Sequence, residues 1–90
     1  MFFEWDINKA KANKRKHGVT FEEGSSSLRD PLSATAYDPD HSEDEERYIT
    51  FGVSSKGRLL TVSHTENNNV IRIISARLAT KTERLIYEEG

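Results

Sequence analysis

Ninety residues without a cysteine exclude a disulfide framework and a thiolate zinc site, and they fit one domain spanning 1–90 with a small core. Hydrophobic residues make up 34% of the chain against 31% charged, which is lean for a self-sufficient core and leaves room for a partner protein on the surface. The formal net charge of −2 excludes indiscriminate nucleic-acid binding, yet it is unevenly placed: residues 38–46 hold six acids and no base, and the flanking segments carry +1 and +3.

The N-terminus has neither the basic start nor the apolar run of a secretory signal, and no later stretch is long enough to span a membrane. The expectation is a cytoplasmic protein with no membrane partner. Phe2 to Trp5 reads as a first strand whose rings anchor the core. Asp6 caps a helix from Ile7 to His17, rich in lysine and closed by Gly18. Thr20 and Glu23 have capping-box spacing and open a second helix to about Leu28, which Gly24 and the serines after it are expected to fray. Asp30-Pro31 makes a turn, and Leu32 to Tyr37 a short edge strand.

After the acidic loop, Arg47, Ile49, Phe51 and Val53 alternate with polar residues and glycine as in a half-buried strand. Ser55-Lys56-Gly57 turns the chain into a strand from Arg58 to Thr65, and Glu66 to Asn69 turns it back into Val70 to Arg77. Thr80 and Glu83 repeat the capping-box spacing and start a last helix to about Glu89. Helices gathered before an antiparallel meander, with one after it, describe an α+β fold.

His17, His41 and His64 lack zinc spacing, and Asp38, Asp40 and Asp44 lack the glycine and distal glutamate of a calcium loop. No metal or cofactor is expected. The remaining chemistry is cationic and phenolic: Arg47, Arg58, Arg72, Arg77, Lys16 and Tyr87, with His64 on a strand. Such residues suit metal-independent RNA cleavage, in which the 2′-hydroxyl attacks the adjacent phosphate. Arginine forks match the phosphate oxygens, and a histidine or tyrosine moves protons. An unbroken strand from Ile71 to Arg77 sends Arg72 and Arg77 to opposite faces, so both reach RNA only if a bulge or strand end intervenes.

The ordered set Phe3-Glu4-Trp5-Asp6, Lys16-His17-Gly18-Val19, Phe21-Glu22-Glu23, Asp30-Pro31, Gly57-Arg58 and Ile71-Arg72-Ile73-Ile74-Ser75-Ala76-Arg77 closely resembles the BrnT toxin family over nearly the whole chain. The resemblance implies a RelE-like fold and an endoribonuclease toxin that inhibits translation. It also implies a BrnA-like ribbon-helix-helix antitoxin, with two toxins around an antitoxin dimer that binds operator DNA only as the complex. From the chemistry of the residues themselves, Arg58 and Arg77 are the expected phosphate clamps, and His64 and Tyr87 the candidates for proton transfer. Lys16, Arg47 and Arg72 are expected to bind RNA. Leu78 stands where the family usually has lysine. The alternative is a non-catalytic antitoxin-binding module acting in operon autoregulation.

Overall fold

In the computed structural model, which describes residues 1–90, the chain runs β1 (Phe2–Glu4), α1 (Ile7–His17), α2 (Phe21–Ser27), β2 (Ala34–Tyr37), a 3-10 turn (Pro39–His41), β3 (Arg47–Val53), β4 (Leu59–Asn67), β5 (Val70–Leu78) and α3 (Lys81–Glu89). Local chemistry sets the helix ends. The Asp6 carboxylate accepts from the backbone N–H groups of Asn8 and Lys9 at 2.8 and 3.0 Å, and Gly18, at φ 69°, returns its N–H to the Lys14 carbonyl. Four basic side chains occupy the last turn of α1, where the helix dipole favours them.

The glycine and serines of α2 do not fray it. Ser25 and Ser26 donate their hydroxyls to the carbonyls of Glu22 and Glu23 at 2.7 and 2.6 Å, within the helix itself. Gly24 is needed for packing, since a Cβ there would lie 3.2 Å from the Ala76 Cβ of β5. The side chain of Glu23 leaves its expected cap role and turns inward, while the Thr20 hydroxyl still accepts from the Glu23 N–H.

The five strands form one sheet in the order β1-β5-β4-β3-β2, with β1 parallel to β5 and all other pairs antiparallel. The meander is as expected; the parallel docking of β1 joins the chain's start to its last strand. Helices α1 and α2 cover one face, where Val19, Phe21, Leu60, Val62, Ile73 and Ala76 form the core, with Phe3, Trp5, Ala10 and Leu28 packed against it. Burying a side chain the size of Phe21 stabilises the fold by roughly 1.5–3 kcal/mol. In β3 the residues turned toward α2 are Thr50 and Gly52, not the apolar series. A Cβ on Gly52 would sit 2.2 Å from the Ser27 carbonyl oxygen, so only glycine lets α2 cross β3 this closely. The Thr61 side chain, pointing away from Leu60 and Val62, bonds Glu83 of α3, which places α3 on the opposite face.

The register between β4 and β5 changes midway. Ser63 pairs with Ser75 but His64 pairs with Ile73, so Ile74 is one residue too many and forms a bulge. Ile73 and Ala76 therefore both face the helices although their numbers differ in parity. Arg72, next to Ile73, and Arg77, next to Ala76, both face the other way. Of the two interruptions that could bring the arginines together, a bulge or a strand end, the bulge is present, so the opposite-face placement of an unbroken strand does not apply.

Candidate nucleic-acid interface

The face turned away from α1 and α2 is organised in rows set by strand register. One row runs Arg47, Thr65, Arg72, Glu4; the next Ala36, Ile49, Ser63, Ser75; the third Ala34, Phe51, Thr61, Arg77. Four residues of β4 separate the outer rows, about 13 Å at ~3.3 Å per residue. Between Arg72 of the first row and Arg77 of the third lie the Ser63 and Ser75 hydroxyls, half-buried and cross-strand partners. Phe2, 69% exposed, extends the same face beyond Arg72.

Arg77 is held by α3. Its two terminal nitrogens donate to Glu83 at 2.7 and 2.8 Å, a fork-to-carboxylate pair, and one also donates to the Leu78 carbonyl at 3.3 Å. Glu83 in turn accepts from the Thr61 hydroxyl and the Thr80 N–H, completing the capping box of α3. The Arg77 guanidinium and these donors hold the Glu83 carboxyl down at about 2, so it is a charged anchor and a poor proton acceptor. One turn further along α3, Tyr87 donates its hydroxyl to Asp30 at 2.6 Å, and that bond to a carboxylate raises the phenol's pKa. Asp30 also accepts from the N–H groups of Leu32 and Val53. Tyr87 thus latches α3 to the turn after α2.

At the other end, Arg72 donates to Glu45 of the acidic loop, whose carboxylate also lies 3.8 Å from Arg47. The Nε of Arg47 is buried without a partner. Glu4, Asp44, Glu45, Glu46 and Glu66 line the groove beside Arg72, so acids surround the arginine at this end of the face.

Three expected residues lie elsewhere. Arg58 belongs to the helix side: its Nε donates to Glu23 at 2.9 Å, a second nitrogen pairs with the same carboxylate, and it reaches the Gly18 carbonyl at 3.3 Å. Glu23 is buried, and it also accepts from the Ser54 hydroxyl at 2.7 Å. The Arg58 hydrogen bond holds its carboxyl below the usual range despite burial. This assembly ties the β3–β4 turn to both helices, so Arg58 is occupied by the fold and does not face Arg77. Lys16 is exposed on the last turn of α1, on the same helix side.

His64 is fully buried on the helix side as well, with Nε2 at 2.7 Å from the Thr50 hydroxyl, its ring stacked on Tyr48, and Nδ1 without a hydrogen bond but 3.9 Å from the Glu66 carboxylate. Burial pushes its pKa below the usual histidine value. The expected proton-transfer residue therefore sits on the other side of the sheet from Arg72 and Arg77. Leu78 pairs with Leu60 and so also turns to the helix side. The missing lysine therefore removes no cation from the arginine rows.

Sequence reasoning missed Glu83 as the anchor of Arg77 and Glu45 as the occupant of Arg72. The signal for the first was present, since Glu83 was already placed at the start of α3, six residues from Arg77. No group of three or more histidine, aspartate or glutamate side chains converges to hold a metal ion. What this face offers chemically, beside α3, is two arginines about four residues apart along β4, each paired with a carboxylate, with two hydroxyls between them.

The family model described as the ribonuclease toxin BrnT of type II toxin–antitoxin systems matches residues 5–83. A search of curated proteins returns no match. Among solved structures, the Brucella abortus ribonuclease toxin BrnT is similar at 20% sequence identity with a TM-score of 0.63, over 90% of this chain and 100% of that one; it supports the fold. The match over most of the chain, joined to the α+β architecture, identifies this protein as a member of the BrnT ribonuclease toxin family of type II toxin–antitoxin systems.

Proposed function

We propose that this chain is a metal-independent endoribonuclease whose site is the open face of the sheet, with Arg77 at the reaction centre and Arg72 and Arg47 binding the neighbouring RNA backbone. The observation that carries this reading is the bulge at Ile74, which turns Arg72 and Arg77 to one face. The reaction needs little from the protein. The 2′-oxygen loses its proton and attacks the adjacent phosphorus, the bond to the 5′-oxygen breaks, and that oxygen gains a proton. A 2′,3′-cyclic phosphate and a 5′-hydroxyl result. Arg77, held rigid by Glu83, stabilises the added negative charge on the phosphate oxygens, and Ser75 and Ser63 line the path between the phosphates. Phe2 offers a base a stacking surface beyond Arg72. Tyr87 serves as the latch of α3, while Arg58 and Lys16 lie outside this face.

The family's toxin–antitoxin pairing implies a protein partner. A BrnA-like ribbon-helix-helix antitoxin, two toxins to an antitoxin dimer, fits a chain that leaves Leu32, Leu78, Leu85 and Ile86 each about half or more exposed, and operator DNA would be bound by that complex. The direct test is incubation of purified protein with single-stranded RNA and excess EDTA, followed by end analysis of the fragments. Cyclic phosphate and 5′-hydroxyl ends are expected. Cleavage that disappears with EDTA and returns with a divalent cation would refute the metal-independent mechanism.

A further inference from the structure

Strand β1 ends at Glu4, which pairs with Arg72, so from Ile73 onward the outer edge of β5 has no strand beside it. The backbone of Ala76 lies on that unpaired stretch and is fully buried, a combination that normally leaves an N–H and a carbonyl unsatisfied. A side chain takes the place of the missing strand. Asn13 of α1, 7% exposed, accepts from the Ala76 N–H at 3.2 Å through Oδ1 and donates to the Ala76 carbonyl at 2.7 Å through Nδ2, and Nδ2 also donates to the Val19 carbonyl at 2.9 Å.

The location of this clamp matters more than its strength. Ala76 is the residue between Ser75 and Arg77, two positions after the bulged Ile74. A bulge offsets the register by one residue, and an offset of one residue exchanges the faces of everything beyond it. Gly24 closes on the Ala76 side chain from α2, and Asn13 grips its backbone from α1, so the strand after the bulge is fixed from two directions. Arg72 precedes the bulge and is held separately by its pairing with Glu4 of β1.

We infer that Asn13 is a positioning residue for the reaction centre: by standing in for a sixth strand at Ala76 it holds the post-bulge register that presents Ser75 and Arg77 to RNA. The inference rests on the proposed site, and it separates chemistry from binding. Loosening Ala76 displaces Arg77 and leaves Arg72 and Arg47 where they are.

The test compares wild type, Arg77→Ala, Asn13→Ala and Asn13→Asp in single-turnover and steady-state RNA cleavage, at a temperature where circular dichroism shows each protein folded. Asn13→Ala is expected to lower kcat on the order of 10- to 100-fold, as a displacement near 1 Å would, with KM within about twofold of wild type. Asn13→Asp keeps the shape and the acceptor but donates only when protonated, so its kcat should fall at neutral pH and recover in part on acidification, a limb that wild type lacks. Folded variants with wild-type kcat, or losses confined to KM, would overturn the inference. So would failure of both variants to fold, which would assign Asn13 to the fold alone. If wild type itself does not cleave, the ribonuclease reading has failed, a result distinct from undiminished cleavage by the Asn13 variants.

Discussion

Replacing Glu83 by glutamine keeps the shape of the Arg77 anchor and removes its charge. In the folded chain the Glu83 carboxyl is held at about 2 against an ordinary 4.5, chiefly by the Arg77 hydrogen bonds. A drop of about 2.5 in pKa, at about 1.36 kcal/mol each, sets a ceiling of about 3 kcal/mol on the stability this ionisation contributes. Arg77 is 38% exposed, so solvent screens the pair, and about 1–2 kcal/mol is the working expectation. Because the folded pKa is depressed, the contribution is fully present above pH 4.5 and is lost as pH falls from 4.5 toward 2. Urea unfolding of wild type and Glu83→Gln at pH 7, 4.5, 3 and 2 reads this directly. Wild type should lead by about 1–2 kcal/mol at pH 7, and the two curves should converge near pH 2. A gap that stays constant across that range would refute the charge-anchor argument.

Three further outcomes follow from the geometry. Glu45→Gln removes the acid bound to Arg72 and near Arg47, so RNA affinity measured by anisotropy at low salt should rise roughly twofold to fivefold and the gain should vanish at high salt. Weaker binding would show that Glu45 supports those arginines. His64 is kept neutral by burial, while the unfolded chain takes up its proton below about pH 6.5. Wild-type stability should therefore fall as pH drops below 6.5, and denaturant unfolding of His64→Gln should lack that limb while cleavage at pH 7 stays within about twofold of wild type. Loss of cleavage by a folded His64→Gln would restore a role in proton transfer. Gly52→Ala places a methyl carbon 2.2 Å from the Ser27 carbonyl oxygen and should cost roughly 1–3 kcal/mol, seen as a lower Tm; an unchanged Tm would mean that α2 yields freely.

Much of this fold was readable because the signals were local. Asp6, Gly18, Thr20 and the Thr80–Glu83 box act within one helical turn, and each caps where its spacing indicated. The docking of β1 on β5 joins opposite ends of the chain and leaves no local trace. The bulge was hidden for a more specific reason. Ile71, Ile73, Ile74 and Ala76 are all apolar, so the run has apolar residues in both parities and does not mark where register shifts. Arg58 read as a free cation because its partner, Glu23, lies 35 residues away and had a capping role to hand. His64 read as a candidate for proton transfer because a polar residue in a strand gives no sign of burial; its hydroxyl partner is on the neighbouring strand. The arginines were legible as candidates from their residue type, while their grouping depended on contacts that only the sheet supplies.

The central claim is that Arg72 and Arg77 share the working face and Arg58 does not. It is tested most directly by measuring RNA cleavage for Arg72→Ala, Arg77→Ala and Arg58→Ala, each alongside its own thermal melt. The account predicts that Arg77→Ala melts several degrees lower, in line with the ~1–2 kcal/mol of its pair with Glu83, while its folded fraction loses kcat by roughly 10²–10³-fold, and that Arg72→Ala raises KM. Arg58→Ala should melt lower, with its folded fraction cleaving at the wild-type rate, because the arginine's partner is the buried Glu23. A folded Arg58→Ala without activity beside a fully active Arg77→Ala would contradict the account and move the site to the helix side of the sheet.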